Sequence, residues 1–491
     1  MKRFLTILFI QTVIISVAVS AGPSQRIDSL MKLYHEHNNF YGAVLVAKNG
    51  EVLFSGGYGL ANIEHGVPNT PNTRFRIASI SKQFTAMLVL QQVAAGNMEL
   101  SDPIRRFIPD YPAPQGDIIT IHHLLSHTSG FPHYAGIPDF FQLYGRREFT
   151  HREFVELFWD LDLLFEPGTR FNYSSFGFYL LGYILERVTD KQFPQLLREK
   201  ILAPLGMNAT GIVDHEEILP NKASGYDLIL NGFQMAEFRD LSTALATGDM
   251  YTSPLDMVKW DRALRQYTLL DKELQDRKFD TVKSGFGYGW VMGYHSITEN
   301  DSVFFQRHTG GTNGFTSIGT RLLPDGYYIL VFCNTRPGEI RPVERDIIRI
   351  LYGHEPQFRP SSAIKAARLL ESQGKEAAIN FLRTTAVTGN PDQQNEEGEE
   401  QLAPLGGLRF ETRVADILQV GNDLIRVGRN EEAITFMRLA TEKYPESVPA
   451  WLALGDRYHA AGKKYLAIQA YARALTINPE HRGALERIKR Y

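Results

Sequence analysis

Thr73-Arg74-Phe75-Arg76-Ile77-Ala78-Ser79-Ile80-Ser81-Lys82 is the stretch on which the reading of this chain turns. It contains an S-x-x-K tetrapeptide, Ser79 to Lys82, and opens an apolar helical run through Phe84, Met87, Leu88 and Val93. The pattern places Ser79 at a helix start with Lys82 one turn on, on the same face. Backbone N–H groups at such a start favour developing negative charge. A serine hydroxyl is a weak nucleophile until a base takes its proton. Lysine does so only when neutral, and its reference pKa of about 10.4 must then be lowered by burial or a neighbouring cation. The tetrapeptide alone decides little, because serine at a helix start is commonly only an N-cap. The motif also recurs at Ser29/Lys32, Ser362/Lys365 and Ser372/Lys375, all of which read as solvated helix faces.

Two segments further along give it context. One is Glu166-Pro167-Gly168-Thr169-Arg170-Phe171-Asn172-Tyr173-Ser174-Ser175, and the other is His308-Thr309-Gly310-Gly311. Taken in order, the three resemble the serine β-lactamase and D-Ala-D-Ala carboxypeptidase family, in particular its class C-like branch, with S-x-x-K, Y-x-N, then K-T-G or H-T-G. The resemblance runs through most of residues 38 to 335. It is supported by Leu124-Leu125-Ser126-His127-Thr128-Ser129-Gly130, Pro204-Leu205-Gly206-Met207 and Gly287-Tyr288-Gly289-Trp290.

The resemblance implies a covalent mechanism. Ser79 attacks an amide or ester carbonyl, with Lys82 and Tyr173 as the proton-handling groups and the choice of general base between them open. Backbone N–H groups of Ser79 and Gly311 are expected to form the oxyanion hole, a contribution of several kcal/mol. His308, Thr309 and Gly310 are expected at the substrate, His308 either touching a substrate carboxylate or tuning Tyr173. One position departs from the pattern: Ser175 stands where the family carries Asn, offering a shorter side chain with one hydroxyl donor. That disfavours an efficient β-lactamase and favours another substrate, the candidates being a peptidoglycan-like D-peptide, another small peptide, an ester or a β-lactam. The contrasting expectation is a catalytically weak binding module of the same fold.

Outward from the motifs, hairpin signals mark both ends of one domain. Lys48-Asn49-Gly50-Glu51 separates the apolar runs 43–47 and 52–54, and Pro324-Asp325-Gly326 separates 315–322 from 327–332. Residues of about 100 to 275 read mostly as helix and loop. The expected fold is α+β: an antiparallel sheet shared by early and late strands, flanked by helices, with an inserted helical subdomain, over residues 22–355. Residues 361 to 387 read as two helices without strands. Together 356–388 form a helical connector that is possible as a degenerate repeat, and 389–407 read as an acidic linker. Gly421, Ala433, Ala440 and Pro445 then recur 34 residues later as Gly455, Ala467, Ala474 and Pro479, joined by Trp451, Leu454, Tyr458 and Tyr471. This is the tetratricopeptide pattern, assigned to 408–491 with 482–491 as a capping helix. Its expected partner is a protein or peptide segment, the alternative being packing against its own catalytic domain or a second subunit.

Met1-Lys2-Arg3, the apolar run 4–19 and Val19-Ser20-Ala21 have the layout of a cleaved signal peptide, 1–21, so a periplasmic or secreted protein without a lasting membrane anchor is expected. A net charge of −3 over 491 residues offers no basic footprint for nucleic acid. The single cysteine, Cys333, permits no intramolecular disulfide and reads as core. His122, His123, His127 and His133 cluster in sequence, but without H-E-x-x-H no metal site is expected. No cofactor is implied.

Overall fold

A computed structural model describes residues 22–134, 137, 139–230, 232–280, 284–387 and 410–491. The leader expected at 1–21 and the linker expected at 389–407 lie outside the described residues. The strands that position the site are, in chain order, β1 (Gly42–Lys48), β2 (Glu51–Tyr58), β3 (Tyr226–Ile229), β4 (Gly232–Met235), β5 (Val291–Thr298), β6 (Asp301–Thr312), β7 (Phe315–Leu322) and β8 (Tyr327–Cys333). Five helices frame them: α1 (Pro23–Glu36), α2 (Lys82–Ala94), α3 (Ser175–Thr189), α4 (Pro254–Gln266) and α5 (Ile340–Leu351).

The main sheet runs β5-β6-β7-β8-β1-β2, antiparallel throughout. β1 pairs with β8 in the register Val44↔Val331, so early and late strands share one sheet. Asn49 and Gly50 both take positive φ at the β1–β2 turn, the conformation that makes Asn-Gly a hairpin signal. Side chains alternate between two cores. Val44, Val46, Ile329, Val331 and Cys333 face α1 and α5. Ala43, Leu45, Leu330 and Phe332 face α2, α3 and α4. Cys333 is fully buried, as its apolar setting led one to expect.

The chain inserted between β2 and β5 is mainly helical but also carries the β3–β4 hairpin, which pairs with Thr335–Arg336. After α5 come α6 (Ser362–Gln373), α7 (Lys375–Thr384), α8 (Val414–Arg426), α9 (Asn430–Lys443), α10 (Val448–Ala460), α11 (Lys464–Ile477) and α12 (Arg482–Ile488). They pack as consecutive hairpins α6/α7, α8/α9 and α10/α11, with α12 on α11. Gly421 and Gly455 do the same work in successive hairpins. A Cβ at Gly421 would lie 2.6 Å from Met437 Cε, and one at Gly455 would lie 2.4 Å from a Tyr471 ring carbon.

Two expectations need correction here. Ala386–Val387 pairs in parallel with Glu411–Thr412, so 361–387 is not free of strands; two residues are too few for a periodicity to register. Ser362 is not on a solvated face: it is buried and its Oγ donates to Glu411 O at 2.8 Å, beside that strand pair.

Candidate active site

The α-helix begins at Lys82, and Ser79 sits just ahead of it in a 3-10 turn, Ala78–Ser81. Ser79 caps neither segment, so the structural role open to its hydroxyl goes unused. Ala78 before it is held at φ 46°, a left-handed conformation unfavourable to a residue with a Cβ. Packing enforces that turn. Ser81 Oγ donates to Ala78 O at 2.6 Å and Ser317 Oγ, on β7, donates to Ile77 O at 2.9 Å. Gly310, on β6, approaches so closely that a Cβ would stand 2.1 Å from Ile77 O.

Lys82 has no solvent exposure. Its Nζ donates to Ser79 Oγ at 3.0 Å and to Thr247 O at 2.8 Å, and stands 5.2 Å from the Tyr173 ring centroid and 5.7 Å from that of Phe178. Burial pulls its pKa down to about 7, with the nearby Asp249 carboxylate opposing. The neutral amine that a proton acceptor requires is therefore populated near neutral pH.

Tyr173 precedes α3, and its hydroxyl reaches both Ser79 and Ser175. Burial holds the phenol protonated well above its usual range, the hydrogen bond from Ser79 opposing. Ser175, the first residue of α3, is buried beside it. Asn172 points away, donating through Nδ2 to Phe131 O at 2.8 Å.

β5 stops pairing with β6 at Arg307, so His308 to Thr312 keep one strand edge unpaired by β5. His308 is buried, its ring centroid 6.1 Å from that of Tyr173. Nδ1 lies 2.6 Å from Thr309 O, a carbonyl that can only accept, so Nδ1 carries the proton. Burial, with Lys82 adding, lowers the imidazole pKa to about 4. His308 is thus a neutral ring at pH 7, suited to tuning Tyr173 and not to pairing with a carboxylate as a cation. Thr309, half-buried and opposite Ile318, alternates to the other face of β6. A pocket of about 210 Å³ opens beside Ser79 and is bordered by Ser175 and Gly311. Nothing lies within 4 Å of where a Gly311 Cβ would be, so its backbone fronts open space.

Comparison with known proteins places the chain in a family. A family model described as Beta-lactamase matches residues 25–353. The chain belongs to the β-lactamase family. It is 26% identical over 381 residues to a penicillin-binding protein of Bacillus subtilis, covering 70% of this chain and 80% of that one. It is 32% identical over 213 residues to the esterase EstB of Burkholderia gladioli, covering 40% of this chain and 53% of that one. Among solved structures it is similar to the D-amino acid amidase of Ochrobactrum anthropi complexed with L-phenylalanine amide. That likeness has TM-score 0.58 and 26% identity, covering 67% of this chain and 98% of that one.

Sequence reasoning missed three contributors to this β-lactamase-family site. His127 Nδ1 accepts the Ser174 backbone N–H at 3.2 Å, and its ring lies 4.4 Å from that of Tyr173, while its carbonyl accepts Asn172 N at 2.9 Å. His133 packs edge-on to Tyr173 at 5.6 Å. These histidines seat the tyrosine. His122 instead meets Tyr288 OH at 2.6 Å and His123 caps its own helix, so the four do not converge. Among the described residues no group of three or more metal-ligating side chains comes together. The third contributor is Asp249, buried, with Oδ2 accepting Ala246 N at 3.3 Å and Oδ1 without a partner. It fixes the loop whose Thr247 carbonyl holds Lys82. The Ser126 to Gly130 stretch was a signal for His127; nothing local marks Asp249.

Proposed function

We propose that this chain is an exported serine hydrolase of the class C-like branch that cleaves an amide or ester through an acyl-enzyme on Ser79. The observation that carries the reading is the 3.0 Å contact between Ser79 Oγ and a fully buried Lys82. In the forward step Lys82, or Tyr173 relaying to it, takes the Ser79 proton as Oγ bonds to the carbonyl carbon. The oxygen that gains charge is held by the N–H groups of Ser79 and Gly311. The carbonyl–heteroatom bond then breaks, and the leaving group takes a proton from the Lys82–Tyr173 pair. Water, deprotonated by the same pair, releases the acid and restores Ser79.

The relatives' names, a penicillin-binding protein, an esterase and an amidase, support small peptides, amides and esters as the substrate class. No nucleic acid or cofactor enters this reading. The leader at 1–21 supports export, and among the described residues no helix is long and apolar enough to cross a membrane. We read 356–388 and 408–491 as tetratricopeptide-type hairpins that recruit a protein or peptide partner. The recurring close approaches at Gly421 and Gly455 support this. The test is direct. A fluorophosphonate or labelled penicillin is expected to add its mass to Ser79 in the full-length protein and not in Ser79→Ala. Equal labelling of that variant, or no adduct on either, removes the hydrolase reading in favour of a binding module.

A further inference from the structure

The pocket beside Ser79 has a property that bond cleavage does not use: its charge. Arg239 and Arg336 line it together with Ser79, Ser175 and Gly311. Arg76 stands behind, donating to Thr312 Oγ1 at 3.2 Å, its Nε buried without a partner. Among the described residues none of the three guanidinium groups has a carboxylate in ion-pair range. Glu237, two residues before Arg239, is paired with Arg146 at 2.9 Å and offsets the charge of Arg239 only in part. Asp249, the acid that Arg76 feels, is buried and borders a separate cavity of about 960 Å³. The arginines therefore repel one another with only partial relief, from Glu237 at Arg239 and from Asp249 at Arg76. Burial foremost, and then Arg239, lowers the Arg76 pKa to about 10. Arg239 is depressed too, by burial first and with Arg336 contributing.

Arg239 is also set for binding. Its Cζ lies 3.7 Å from the Phe141 ring centroid, a stacking contact that orients the planar fork and leaves its N–H edge available. Guanidinium forks of this kind match a carboxylate with two parallel hydrogen bonds. The pocket also has a direction. It borders Ser79, the residue to which an acyl group stays bonded, together with Ser175 and Gly311. A group lodged beside the arginines is therefore contiguous with the half of the substrate that stays on Ser79.

We propose that the acyl half of the substrate bears a carboxylate, held by Arg239 and Arg336. Arg76 reinforces the positive field from behind. The inference rests on Ser79 being the nucleophile, and it narrows the substrate to anionic acyl groups.

The experiment compares p-nitrophenyl hydrogen glutarate with p-nitrophenyl methyl glutarate, equal in reacting bond and differing in charge, on the full-length protein. The wild type is expected to favour the anion by about tenfold or more in kcat/KM. Arg239→Gln/Arg336→Gln is expected to bring the ratio to about one or below, with Arg239→Lys retaining part of the preference. A ratio of two substrates on one preparation is insensitive to the fraction folded. A wild-type ratio near or below one overturns the proposal while leaving Ser79 catalysis standing. Should neither ester react, calorimetry of glutarate with full-length Ser79→Ala decides. Saturable binding that Arg239→Gln abolishes upholds the anion site while the hydrolase reading fails; no binding overturns the anion site as well.

Discussion

At the scale of single residues, the proposed mechanism depends on keeping one lysine neutral. Lys82 is buried against the aromatic faces of Tyr173 and Phe178, and that burial, opposed by Asp249, sets its pKa at about 7. The base form dominates above that pKa, so kcat/KM for an activated ester is expected to rise as pH passes through about 7. Asp249→Asn removes the negative charge that helps Lys82 keep its proton, so the rising limb should move to lower pH. A profile flat from pH 6 to 9, or a limb displaced toward higher pH in that variant, would contradict this account. Asp249 is itself held up near 7 by burial, so the limb is a property of the pair. His308, neutral at that pH, adds no cation of its own.

At the scale of elements, the turn bearing Ser79 is clamped between α2, β6 and β7, and glycine is what lets β6 approach. A Cβ at residue 310 meets Ile77 O at 2.1 Å and Ser317 Oγ at 2.4 Å. Gly310→Ala must push β6 away from Ser79, and it is expected to lower kcat/KM by about a hundredfold, since a misplacement of about 1 Å costs that much. The same substitution should cost about 1–3 kcal/mol in urea unfolding, the usual penalty for overpacking. Activity near that of wild type would show that β6 does not hold the turn. Much of this was legible in the sequence. The Asn49-Gly50 and Pro324-Asp325-Gly326 turns delimit strands found close to their expected bounds, because turn chemistry is local. The helix start was displaced by one turn, because a 3-10 segment and the α-helix after it share one hydrophobic pattern.

At the scale of the whole molecule, the C-terminal helices are joined to the catalytic unit through the β3–β4 hairpin. Ile229 and Leu230 enter one apolar cluster with residues of α6 to α9. Asp423 Oδ2 accepts Leu230 N at 3.1 Å, and Arg426 pairs with Asp227 at 2.7 Å. Removing 390–491 therefore uncovers Ile229, Leu230 and the inner faces of α6 and α7. The truncated chain is expected to aggregate or to be clipped near 229–232 in limited proteolysis, while retaining acylation of Ser79 in its soluble fraction. A monomeric, protease-resistant truncation would show that the hairpin does not depend on the repeats. What the sequence determined by itself was local and periodic. Turn residues, the 34-residue repeat and the order of Ser79, Tyr173 and His308 are each set by backbone preference or motif spacing, and they suffice for the fold class of the catalytic unit and to single out Ser79 as the proposed nucleophile. Tertiary structure alone decided the rest. His127 touches Tyr173 from 46 positions away and the Asp249 charge acts on Lys82 from 167 positions away, and the arginines at 76, 239 and 336 come within electrostatic reach of one another only in the folded chain. Burial and charge at such distances are properties of the packed chain and leave no local pattern to read.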